Sequence, residues 1–297
     1  IDQDDIEDCL FVLFVKTDGD DSNDCKSWEK ACKTIQSAVD RAGNSNYNGI
    51  NYENYKVIWV KQGIYRSSNP DPVVPVINFK SGIEIYGGFC GNEKNLEERK
   101  IKECETVLDG DRDGNINTEN DRVYHVVRAV GEEDSPIENI RFDGFVIKNG
   151  RAYGYYDDNH GGGMFNRYVS NSAIITNCIF IRNSADFFGG GMDNYYSSPT
   201  ITNCTFEENN SFMGGGINNT LSSPTISNCT FVGNSAAYGG GIHNYYYSYP
   251  TITNCTLTQN SATYGAGMYN SDNSSPKIMN SIFFGDKKGN PPSSVSE

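Results

Sequence analysis

The sequence predicts an all-β solenoid, a parallel β-helix, on three observations. A block of sequence recurs every 25 to 26 residues, a glycine cluster accompanies each copy, and the units alternate β-branched residues with Asn, Gly, Ser and Pro. Pro199-Thr-Ile-Thr-Asn-Cys-Thr-Phe206 returns at Pro224–Phe231 and Pro250–Leu257, with weaker copies at Ala173–Phe180 and Pro276–Phe283. The repeat cysteines Cys178, Cys204, Cys229 and Cys255 are 26, 25 and 26 residues apart. The glycine blocks are Gly161–Met164, Gly189–Met192, Gly214–Ile217, Gly239–Ile242 and Gly265–Met268.

A helical repeat needs apolar stripes of period 3.6, and these units have none. Short strands bounded by turn residues fit them instead. Units too small to hold a core gain one by stacking as coils. Each coil is expected to carry about three strands, each paired with its copy about 4.8 Å away in the next coil. Ile201, Cys204, Phe206 and Ile217 then point inward. The charge pattern agrees. Between Ser172 and Ser275 the only charged residues are Arg182, Asp186, Asp193, Glu207, Glu208 and Asp272. In-register stacking brings equivalent side chains together, so repeated like charges would repel.

Phe180-Ile-Arg-Asn183, Phe206-Glu-Glu-Asn209 and Phe231-Val-Gly-Asn234 follow an F-x-x-N pattern, each succeeded by a glycine block. This resembles the repeat of the polymorphic outer membrane proteins, within the larger class of pectin-lyase-like right-handed β-helices. The paired motifs cover residues 140–286. Ser27-Trp28, Thr34-Ile-Gln36, Ile58-Trp-Val60, Tyr86–Phe89 and Tyr124–Val127 resemble the N-terminal part of bacterial surface β-helix proteins. The resemblance implies a right-handed coil and a secreted or surface-exposed protein, often part of a larger chain, but no specific activity. Gly265-Ala266-Gly267 and Phe283-Phe-Gly-Asp286 depart from the pattern.

Four segments follow. Residues 1–56 hold a first strand at 10–15 and an amphipathic capping helix over Ser27 to Ala42, with Ser27 as N-cap and Ala31, Ile35, Ala38 and Val39 on one face. Such a helix covers the open solenoid end, where unpaired edges invite aggregation. Residues 57–136 form irregular first coils with long loops. Residues 137–286 form regular coils, with an insertion at Arg151–Asn159 because Asn149 and Asn183 are 34 apart. Residues 287–297 read as a tail or linker. No C-terminal cap is visible, which suggests a continuation or a partner that stacks there.

Composition limits the function. The 297 residues carry a formal charge of −14. That field repels phosphate backbones, so no nucleic-acid partner is expected. The apolar run Leu10–Val15 is far shorter than the roughly 20 residues that span a bilayer, so no direct membrane span is expected. Cys25/Cys32 and Cys90/Cys104 each bracket a polar loop and are expected as local disulfides, pointing to an oxidising compartment. Cys9 is left over, and the repeat cysteines read as buried apolar thiols.

Several sites are candidates. Asp109, Asp111, Asp113, Asn115 and Asn117 alternate around Gly114 with the oxygen-ligand spacing of a calcium loop, although Asn120 stands where a bidentate Glu would serve. The same residues also read as a solvated acidic turn. Asp18–Asp24 is a weaker loop of the same kind. Asp157, Asp158 and His160 form the best titratable cluster, with a charged turn as the plainer reading, and no catalytic residues are assigned. His125 reads as structural, and His243 as occupying the place of Asp193, Asn219 or Tyr269 in other coils. Tyr195, Tyr196, Tyr245, Tyr246 and Tyr247 cannot all face the core, so they form a candidate contact face for sugar, protein or one another. Asn203, Asn209, Asn218, Asn228, Asn254 and Asn273 lie in glycosylation sequons. Asn203, Asn228 and Asn254 suit a turn or ladder role better, and Asn218 and Asn273 are expected as acceptors if the source is eukaryotic.

The reading reached is a right-handed parallel β-helix with an N-terminal capping helix. It is expected to serve as an extracellular surface, adhesin or filament-forming protein, with self-association or other surface proteins as partners. The alternative is a polysaccharide-binding or polysaccharide-degrading protein.

Overall fold

The computed structural model describes residues 11–115 and 121–289. The chain is a right-handed parallel β-helix, with four sheets among the described residues. Sheet A has nine strands, from Val12–Val15 to Lys277–Met279, and sheet B eight, from Gly63–Tyr65 to Ile282–Phe284. Sheet C has six, from Arg151–Ala152 to Lys287–Lys288, and sheet D seven, from Ile77–Asn78 to Met268–Asn270. One regular coil runs Thr200–Thr202 (A), Thr205–Glu207 (B), Asn210–Met213 (C) and Ile217–Thr220 (D). A regular coil therefore carries four strands where the sequence suggested about three. The stretch between the F-x-x-N asparagine and the glycines forms the additional strand. The earlier coils are irregular because sheet C begins only at Arg151.

Register stacks like upon like. Thr200 pairs with Thr225 and Thr225 with Thr251. Phe206 pairs with Phe231, and Ile217 with Ile242. Ile201, Cys204, Phe206 and Ile217 are buried as expected. The Phe180, Phe206 and Phe231 rings stack 4.8 and 4.9 Å apart, within 5° of parallel. Burying each such ring stabilises the coil by about 2–3 kcal/mol relative to exposing it.

A regular coil turns four times, and each turn places one residue in the left-handed region. In the coil above these are Asn203 (φ 53°), Glu208 (52°), Gly214 (70°) and Leu221 (52°). Asn tolerates this region and Gly enters it freely, whereas other residues incur about 1–2 kcal/mol. Gly214 must be glycine on a second count, since a Cβ there would lie 2.4 Å from the Ile217 carbonyl.

Buried amides then tie coil to coil. The Asn234 Oδ1 accepts from the Asn209 backbone N–H and from Asn209 Nδ2, both at 3.0 Å. Asn234 Nδ2 donates to Phe206 O and to Asn260 Oδ1, both at 2.9 Å. Asn183, Asn209 and Asn260 repeat the pattern, and the Asp286 carboxylate fills the acceptor role for Asn260. A second ladder runs inside sheet D through Asn166, Asn194, Asn219, Asn244 and Asn270.

The N-terminal cap is α1 (Ile35–Arg41), shorter than the helix expected from Ser27 to Ala42. Its N-cap is Thr34, whose hydroxyl accepts from the Ser37 N–H. Residues before it are held otherwise. Cys32 is bonded to Cys25 and pairs its N–H with the Phe14 carbonyl. The Asp21 carboxylate takes the Lys33 and Thr34 N–H groups, and Ser27 Oγ accepts a turn N–H from Lys30. Ile35, Ala38 and Val39 of α1 are buried over the solenoid end. At the other end, Ile282, Phe283 and Phe284 of the last described coil remain exposed. No described helix is long and apolar enough to cross a membrane.

The ladders give a direct prediction. Asn234→Ala strands several buried donors and acceptors and should lower unfolding stability by about 3 kcal/mol or more. Asn203→Ala, on an exposed turn, should cost about 1 kcal/mol. Denaturant melts compare the two, and equal losses would contradict the ladder's role.

Candidate functional site

The outer face of sheet D brings together residues that lie far apart in sequence. In each strand there, Met192 or Ile217 faces the core, as does Asn194 or Asn219, while the residues between and after them face outward. The first outward column reads Arg128, Phe165, Asp193, Asn218, His243 and Tyr269. The second reads Val130, Arg167, Tyr195, Thr220 and Tyr245.

Asp193, Asn218 and His243 are nonetheless buried, at 1%, 0% and 1% exposure. They form one polar line. His160 Nδ1 lies 3.0 Å from Asp193 Oδ2, Asn218 Nδ2 donates to Asp193 Oδ1 at 2.6 Å, and His243 Nδ1 lies 2.7 Å from Asn218 Oδ1. Aromatic rings roof this line. Phe188, at the end of its sheet C strand, approaches Tyr245 of sheet D at 6.2 Å, and Tyr245 stacks on His243 at 5.7 Å. Tyr238, ending another sheet C strand, meets Tyr269 at 5.4 Å. The glycine blocks Gly189–Gly191 and Gly239–Gly241 are the turns that join these C strands to the D strands.

The insertion closes one end of this band. His160 packs edge-on against Phe188 at 4.8 Å, and Asp157 pairs with Arg167. Asp158 Oδ1 lies 3.7 Å from Nε2 of the buried His125, which stacks on Phe165. All three histidines of the chain thus lie along one seam. Sequence reasoning found the Asp157/Asp158/His160 cluster but missed its attachment to Asp193. It also placed His243 opposite Asn219, whereas the register pairs it with Asn218. Counting from the glycine block, where both residues are second after the last glycine, would have given the right partner.

The five tyrosines expected as a contact face lie on this side. Tyr195 and Tyr245 are half-buried on sheet D. Tyr196, Tyr246 and Tyr247 are 42%, 47% and 48% exposed on the turn that leaves it. Tyr196 and Tyr246 occupy the left-handed corner position. Tyr196 stacks on Tyr168 at 5.1 Å, so part of its ring surface is used within the protein. Tyr246 and Tyr247 meet edge to face at 87°.

The acidic loop is gathered differently from its sequence spacing. Carboxylate oxygens of Asp111, Asp113 and Asp121 lie within 4.8 Å of one another. Burial, with Asp121 and Asp109 adding repulsion, holds the Asp111 carboxyl above its ordinary pKa. Asp109 turns away. Its Oδ2 lies 2.9 Å from Arg66 Nη2 and 3.6 Å from Lys148 Nζ, and its Oδ1 accepts from Asn149. Asp109 is thus held by Arg66 and Lys148 and is not one of the three carboxylates that gather. Asn115 Nα–H bonds to Asp113 Oδ1, and Asn117 lies outside the described residues. In the Asp18–Asp24 loop, Asp21 instead fastens the start of α1.

The Cys25–Cys32 and Cys90–Cys104 disulfides are present. Cys9 lies outside the described residues. Cys178, Cys204, Cys229 and Cys255 are free and buried, and each Sγ donates to a carbonyl two residues before it. Asn203, Asn228 and Asn254 form left-handed turns on the outside. Asn218 is corrected as a glycan acceptor, because it is fully buried with both amide atoms engaged. Asn273 is exposed.

A family model described as a right-handed β-helix region matches residues 195–290. Among solved structures, pectin methylesterase from carrot is similar at 15% identity with a TM-score of 0.39, over 93% of this chain and 83% of that one. No curated protein matches.

The seam carries a pH prediction. Burial pushes His243 down to about 4. An unfolded imidazole titrates near 6.5, so the folded state resists protonation. The corresponding stability is full above pH 6.5 and is lost as pH falls towards 4, amounting to about 3 kcal/mol. His243→Asn, which copies the preceding coil, should flatten the fall in melting temperature over that window. Parallel pH profiles for the variant and the parent protein would contradict this.

Proposed function

We propose that the protein is a secreted β-helical surface-contact protein that binds carbohydrate along the aromatic band over sheet D. The observation that carries this reading is the run of Phe188, Tyr238, Tyr245, Tyr246 and Tyr269 along successive coils of one rigid face. Aromatic rings offer apolar surface to the faces of sugars while their hydroxyls bond at the edges. A preorganised scaffold keeps the ordering entropy of binding low. Two disulfides support a secreted location. The F-x-x-N and glycine motifs support kinship with the polymorphic outer membrane proteins as part of the same proposal. Glycan-array binding followed by calorimetry tests the reading. Tyr245→Ser with Tyr246→Ser should weaken binding at least about tenfold, which corresponds to 1.4 kcal/mol. Unchanged affinity would refute the assignment of this face.

A second reading rests on Tyr246, Tyr247 and Tyr249, exposed together at 47%, 48% and 49%. They would serve contact with another copy of the chain or another surface protein. Light scattering of the purified chain should then show assemblies that Tyr246→Ser with Tyr247→Ser disperses. A monomer at all concentrations would rule out self-association.

Calcium at Asp111, Asp113 and Asp121 is the third part of the proposal. The raised Asp111 pKa and the mutual approach of three carboxylates favour a bound cation over an empty turn. Calcium should raise the melting temperature of the protein but not of Asp113→Asn. Identical melts with and without calcium would reject the site.

A further inference from the structure

We infer that the aromatic band over sheet D selects neutral glycans and rejects polyuronates. This rests on the carbohydrate reading of that face and adds its charge preference.

The polar line beneath the rings contains one carboxylate, Asp193, with His160, Asn218 and His243 along it, and no Arg or Lys. The coils that carry the band, Ser172 to Ser275, contain one Arg, Arg182, and no Lys. Its Nε donates to Glu208 Oε2 at 2.7 Å, at the turn between sheets B and C and away from sheet D. The other arginines of the outer D columns, Arg128 and Arg167, belong to strands before Met192–Tyr195, and Arg167 is held by Asp157 and Glu132. A uronate laid along the band would meet aromatic edges and a buried negative charge, in the field of a chain of net charge −14. Carboxylate recognition instead calls for Arg or Lys forks at the ligand. A neutral pyranose incurs no such repulsion, and Tyr195, Tyr245 and Tyr269 on the same outward columns offer it phenol hydroxyls.

The band is also rigid enough for selection to follow from its chemistry. Asp193 Oδ1 and Oδ2, Asn218 Nδ2 and Oδ1, and His243 Nδ1 all have partners, so no side chain is spare to neutralise a ligand carboxylate.

Calorimetry of the full chain with a neutral β-glucan hexasaccharide and with a galacturonate hexamer, at low ionic strength, tests this. The neutral sugar should bind at least about tenfold tighter, and the gap should narrow with salt as repulsion is screened. Asp193→Asn, which continues the Asn218 column, should narrow the gap further. Galacturonate binding as tight as the neutral sugar overturns the charge selection alone. Binding of neither sugar removes the carbohydrate reading of the face and this inference with it.

Discussion

The rod depends on turning a chain through four tight corners in each regular coil without leaving buried backbone groups unpaired. Each corner needs a left-handed residue, and the corner after sheet B needs a buried amide. Asn209, Asn234 and Asn260 supply it, each accepting from an N–H and donating to a carbonyl of the coil before it. A hydrophobic residue at these places would leave those groups unsatisfied inside the protein. The F-x-x-N motif is thus a physical unit. Phe fills the core, the residue before Asn turns left-handed, and Asn closes the corner.

The corners also explain the surface. Where glycine forms the turn from sheet C to sheet D, the chain folds back and brings Phe188 and Tyr238 against sheet D. Where Tyr168, Tyr196 and Tyr246 form the turn from D to A, a bulky ring occupies a position that glycine or asparagine would hold at less strain.

Much of this was legible in the sequence because the repeat encodes it. The spacing of Cys204 from Cys229, together with the alternation around Ile201 and Phe206, gave the inward columns directly. The helix was placed too early because its apolar spacing begins at Ala31, while the Cys25–Cys32 bond and the Asp21 carboxylate delay its start to Thr34. The extra strand was hidden because Asn210–Met213 carries no distinctive pattern. The polar line was hidden for a different reason. His160 lies in an insertion, outside the repeat, and only folding sets it against Asp193. Asp109 shows the converse, since it fits the calcium spacing while Arg66 and Lys148 already hold it.

The central claim is that the buried corner amides make the regular coils one cooperative unit that holds the sheet D face rigid. Native-state hydrogen exchange tests this most directly. The backbone N–H groups of Asn183, Asn209, Asn234 and Asn260 should exchange together, at rates set by global unfolding. Independent exchange coil by coil, at rates near those of exposed turns, would contradict the account.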